Sequence, residues 1–92
     1  MTSIDPRLKI RIRRVERGEE PDKTISGFVK IAEYKREETI VLLKKEGFTV
    51  YEIEGTIFTF HDTLLSVVAR VSQMNIPGLL QIELAKSMGL TD

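Results

Sequence analysis

The chain contains no cysteine. A disulfide framework, a zinc–thiolate site and thiol catalysis are therefore excluded, and a reducing cytoplasm is the expected location. Excess charge of one sign is missing as well. The 14 basic and 14 acidic residues balance to a net charge of zero, so no bulk field drives the chain onto nucleic acid or a membrane, and only local patches remain to be considered. No apolar run approaches the length of a membrane span, and the first six residues hold no basic stretch followed by an apolar one. Neither a membrane partner nor a signal peptide is expected.

His61 is the only histidine. A lone imidazole with no cysteine and no spaced acidic cluster makes no convincing metal site, so no metal and no cofactor are expected. Glycine-rich phosphate loops, nucleophile motifs and paired-acid motifs are absent too. The chain therefore reads as non-enzymatic, with no catalytic residue nominated. Glu52 meeting a second carboxylate across a dimer axis is the one catalytic arrangement a single chain would hide. Asn75, Gln73 and Gln81 are the only side-chain amides beside 30% charged residues, a bias that resembles thermophile composition.

Ninety-two residues suffice for one modest core, so a single domain over residues 1–92 is expected. Phe48 to Phe60 holds two runs of β-branched and aromatic residues joined at Glu54-Gly55, the pattern of a tight hairpin. With those two residues as the loop, Tyr51 lies opposite Phe58 and Thr49 opposite Phe60. One face then carries Tyr51, Ile53, Phe58 and Phe60, and the other Phe48, Val50 and Ile57. Both faces are largely apolar, which calls for cover on each.

Upstream, Leu8, Ile10 and Ile12 alternate with Arg7, Lys9, Arg11 and Arg13, the signature of a half-buried strand with one apolar and one basic face. Arg14 and Arg17 extend the charge, so six basic residues and one acid, Glu16, lie in 7–17. A loop follows through Pro21. From Ile25 to Leu43, apolar residues recur at helical spacing, which predicts one long helix capped by Asp22 or Thr24. Lys35 to Glu46 is its firmest part, and Gly27 leaves open a break near Tyr34 or a short strand over 28–34. Beyond the hairpin, Asp62 or Thr63 is positioned to cap a helix reaching about Met74. Asn75 to Gly78 breaks the chain, and a last helix over 79–88 is stopped by Gly89. The apolar arcs of these last two helices are too wide for one face of a small sheet. That predicts a homo-oligomer, in the simplest case a dimer, with Leu80, Ile82, Leu84 and Met88 at the interface.

Three resemblances bear on function. The order strand, helix, strand, strand, helix, with Gly55 and Phe58 in Glu-Gly-Thr-Ile-Phe-Thr-Phe-His, resembles an RNA-recognition domain and its third-strand motif. Glu54 and Thr56 depart from that motif, and Tyr51, Phe58 and Phe60 read more simply as core. The element order also looks like that of the small dimerising subunit of the KEOPS tRNA-modification complex, a likeness of topology that implies a non-catalytic dimeriser. Glu83 to Thr91 resembles the first helix and turn of a helix-turn-helix DNA-binding unit, with Ala85 and Gly89 at its small and turn positions. A glycine-capped helix is the plainer reading of the same stretch.

The expectation is thus an α+β domain in which a small antiparallel sheet, in β-α-β-β-α-α order, is packed by helices. It acts as a non-catalytic homo-oligomeric binding or scaffolding module. RNA or DNA would be contacted through Arg7, Lys9, Arg11, Arg13 and Arg14 on the basic first strand. The competing class is an interaction subunit whose protein partner docks on the apolar C-terminal helices.

Overall fold

The computed structural model describes residues 2–85. Its elements are β1 (Ser3–Ile4), α1 (Pro6–Glu16), β2 (Thr24–Ile31), α2 (Arg36–Lys45), β3 (Val50–Glu54), β4 (Ile57–Thr63), α3 (Arg70–Gln73) and β5 (Leu79–Leu84). A short 3-10 turn at Glu33–Lys35 leads into α2, and a wider π-type turn at Leu64–Ala69 leads into α3. The chain is a small α+β domain with a five-stranded mixed sheet in the order β1-β5-β2-β4-β3. Only the β1–β5 pair is parallel. From β2 onward the elements run β-α-β-β-α-β, the split β-α-β arrangement, with β1 and α1 added ahead of it against β5.

The middle of the sheet is therefore β2, a segment that helical spacing had assigned to a long helix. Its odd positions Ile25, Gly27, Val29 and Ile31 point into the core while the even ones point away, so the period is two. Gly27 conceals this alternation and is also what permits it. A Cβ there would lie 2.2 Å from the Glu83 carbonyl oxygen and 2.4 Å from the Phe60 ring, so only glycine lets the two neighbouring strands close in. The firm part of the expected helix stands as the 3-10 turn and α2.

The basic stretch is a helix, not a strand. Asp5 caps it by accepting the Arg7 backbone N–H at 2.9 Å, and Pro6 occupies its first turn. Leu8, Ile12 and Val15, at helical spacing, are buried, whereas Ile10 remains 46% exposed. The last helix expected over 79–88 is likewise overturned, since Leu79–Leu84 is a strand paired with β1 and β2. The helix-turn-helix comparison loses its helix at Glu83 and Leu84. Met88 and Gly89 lie outside the described residues.

The hairpin exists with a shifted register. Val50 pairs with Phe60, Tyr51 with Thr59 and Glu52 with Phe58, and an irregularity precedes Glu54 opposite Ile57. The loop is Gly55-Thr56, and Gly55 takes a positive φ of 54° that suits glycine. A slip of one residue exchanges faces. Phe58 and Phe60 join Val50 and Phe48 in the core, with the Phe48 and Phe60 rings 5.1 Å apart. Tyr51, expected in that core, stands 63% exposed.

Capping differs too. Asp22 accepts the Leu65 N–H at 3.0 Å, holding the start of the helical segment before α3 from the preceding loop. Asp62, buried, accepts the Thr49 N–H at 2.8 Å and ties the entry of the hairpin to β4. The helices all bury their apolar stripes against one face of the sheet: Leu8 and Ile12 of α1, Leu43 of α2 and Val71 of α3 share a core with Val29, Phe58, Phe60 and Ile82.

Candidate functional site on the open face of the sheet

The opposite face of the sheet carries no second layer among the described residues. Strand alternation places the even residues of β2 and the odd residues of β4 there, and the ladders fix their neighbours. Phe28 sits between Thr59 and Glu83, Lys30 between Ile57 and Gln81, and Ser26 beside His61. On the outer strand Tyr51 adjoins Thr59. Tyr51 and Ile57 are 63% and 39% exposed, and Phe28 is half-buried. Between them Phe28, Lys30, Ile57, Gln81 and Glu83 line a depression of about 80 Å³.

Polar groups frame this apolar cluster. Gln81 Nε2 donates to Glu83 Oε2 at 2.9 Å, which orients that carboxylate. Ser26 Oγ and His61 Nδ1 are 2.7 Å apart and share a hydrogen bond. Lys30 and Glu83 bring one charge of each sign to neighbouring strands. The face is thus apolar at its centre and near neutral, unlike the cationic groove that tracks a single strand of nucleic acid. No group of three potential metal ligands occurs among the described residues.

The residues singled out in the sequence are distributed differently. Arg7, Lys9, Arg11, Arg13 and Arg14 lie around the outer surface of α1 and form no period-two ridge. Arg7 pairs with Asp5 at 2.7 Å and Arg11 with Glu20 at 3.3 Å. Lys9, Arg13 and Arg14 have no ion pair among the described residues. Of the expected interface residues, Ile82 and Leu84 fill the core, Leu80 is 42% exposed, and Met88 lies outside the described residues. Glu52 is held by Arg36 at 2.6 Å, and the same guanidinium donates to the Gly55 carbonyl at 2.9 Å and lies over the Phe58 ring.

Asp5 joins the added β1-α1 unit to the sheet. Besides capping α1 it accepts the Leu84 N–H at 3.1 Å, and its own N–H reaches the Ile82 carbonyl at 2.9 Å. The Arg7 guanidinium, helped by the Arg7 and Leu84 N–H groups and opposed by partial burial, lowers its pKa to about 2.

Phe28 is the site residue that sequence reasoning missed. The signal was present in Ile25-Ser26-Gly27-Phe28-Val29-Lys30-Ile31, where Phe28 falls with Ser26 and Lys30 once Gly27 is counted as an inward position. No family model, curated protein or solved structure matches the chain, so the open face must be interpreted from its own chemistry.

Proposed function

We propose that the chain is a non-catalytic binding module that works as a homo-oligomer, with two copies meeting through the open face of the sheet. The observation that carries this reading is the set of Phe28, Tyr51 and Ile57 on a face with no cover among the described residues. Contiguous apolar surface on a sheet is stabilised by a second layer. A second copy fits this face better than a strongly charged partner does. Chain charge is zero, so no net repulsion opposes pairing. The face carries both Lys30 and Glu83, so a twofold axis can set each against its opposite on the other copy.

Covering these side chains adds favourable free energy at about 25 cal/mol per Å² of apolar area, which the cost of association partly offsets, so a weak dimer is expected. The dimer reading no longer rests on a C-terminal helix. Of the apolar side chains in 79–84, Leu79, Ile82 and Leu84 already fill the core, which leaves Leu80 alone exposed there.

Sedimentation velocity across about 1–100 μM, a range suited to a weak dimer, tests the reading. The wild type is expected to move from monomer to dimer over that range, and the double variant Tyr51→Glu, Ile57→Lys to remain a monomer with an unchanged fold by circular dichroism. A wild type that stays monomeric throughout would reject homo-oligomerisation and leave a different protein as the occupant of the face.

A further inference from the structure

The fold brings two of the sequence's basic residues to a place that a strand would not have reached. Lys9 and Arg13 are one helical turn apart on α1, and the segment 72–75, the end of α3 and the residues that follow it, runs beside them. Between them lie two adjoining grooves. One, of about 430 Å³, is lined by Thr2, Ile4, Lys9, Ser72, Gln73 and Asn75 among others. The other, of about 200 Å³, continues along α1 past Arg13 to Glu16.

We propose that this groove binds the phosphodiester backbone of a nucleic acid, with Lys9 and Arg13 as its cations and Gln73 and Asn75 as neutral donors. Neither cation has an ion pair among the described residues, and neither amide side chain has a hydrogen bond there. Their capacity is therefore available to a ligand without breaking a protein contact. Ser72, which lines both grooves, donates to the Ala69 carbonyl at 3.0 Å. Among the described residues, Glu16 is the only acid lining the groove, and it limits binding at its far end.

A lipid surface is the weaker fit. A helix lying on a membrane presents its apolar stripe outward, whereas Leu8, Ile12 and Val15 of α1 are buried in the core. The groove belongs to the helical side of the molecule, so a dimer formed through the open face leaves both copies of it accessible. This inference stands apart from self-association and fails or succeeds separately.

The test is fluorescence anisotropy with a short labelled single-stranded RNA and a duplex DNA of equal length, titrated at several salt concentrations. Wild-type protein is expected to bind at low salt. The variant Lys9→Gln, Arg13→Gln should lose tenfold or more in affinity, and its salt slope should fall by about two phosphate contacts. The control Lys44→Gln, Lys45→Gln, on exposed residues ending α2, should change affinity by less than about twofold if bulk charge is not the cause. Removing the opposing acid with Glu16→Gln should tighten binding about threefold. The ligand bound more tightly at matched salt identifies the form preferred. Absence of binding at low salt would overturn the proposal. So would equal loss in the control variant, or phosphatidylserine vesicles that compete as effectively as nucleic acid.

Discussion

The two faces of the sheet are made by the same strands and differ by one residue of offset. On the inner face, Ile25, Val29, Ile31, Phe58 and Phe60 are all at or below 7% exposure and contact the helices. On the outer face, Phe28, Ile57 and Tyr51 alternate with them, yet meet Lys30, Thr59, Gln81 and Glu83 instead of a second layer. Comparable hydrophobic residues therefore have different consequences. Inside they hold the fold, and outside they are free to determine what the fold touches. Strand alternation makes the two roles separable by mutation, because a change on one face leaves the other intact.

Phe60→Ala should produce the largest effect. It removes a ring that is 1% exposed and packed on Phe48. A cost of about 3–5 kcal/mol is expected in urea unfolding, a large fraction of the stability of a domain this size. Gly27→Ala sharpens the same contrast from the opposite direction. The added methyl group meets the Phe60 ring and the Glu83 carbonyl, and a loss of about 2–3 kcal/mol is expected.

Asp5→Asn probes the joint between the two parts of the chain and should cost about 1–2 kcal/mol at neutral pH. The Asp5 pKa is lowered on folding from 3.8 to about 2. Its ionised form therefore adds stability above the unfolded value, and that contribution is lost as pH falls from about 4 toward 2. Urea midpoints of wild type and variant should converge across that window. Tyr51→Ala, on the open face, should change the stability of the dilute monomer by less than about 0.5 kcal/mol while weakening self-association. If Tyr51→Ala destabilised the monomer as much as Phe60→Ala, the two faces would not have separate roles.

Much of this contrast was legible in the residues, and what was not has identifiable causes. The hairpin, the helix over 35–46 and the helical segment before Met74 follow from β-branched runs, helical spacing and turn residues. The basic segment misled because Leu8, Ile10 and Ile12 fit period two while Leu8, Ile12 and Val15 fit the helix. Asp5 followed by Pro6 was the helix-start signal that decides between them. Gly27 removed the side chain that would have shown the inward alternation of β2. The loop at Gly55-Thr56, one residue later than Glu54-Gly55, reversed the face assigned to Tyr51. In β5 the short apolar run over 79–84 fits both periods, and its pairing with β2, distant in the chain, settled the outcome. The candidate site depended on each of these local decisions, so the open face became visible only when all were combined.

The most direct measurement is an isotope-filtered NMR experiment on an equimolar mixture of labelled and unlabelled chains at a concentration well above the dimerisation midpoint. Self-association through the open face predicts contacts between copies from Phe28, Tyr51 and Ile57, and none from Val41 or Leu42, which are exposed on α2. Contacts between copies confined to α2, or an absence of any, would contradict it.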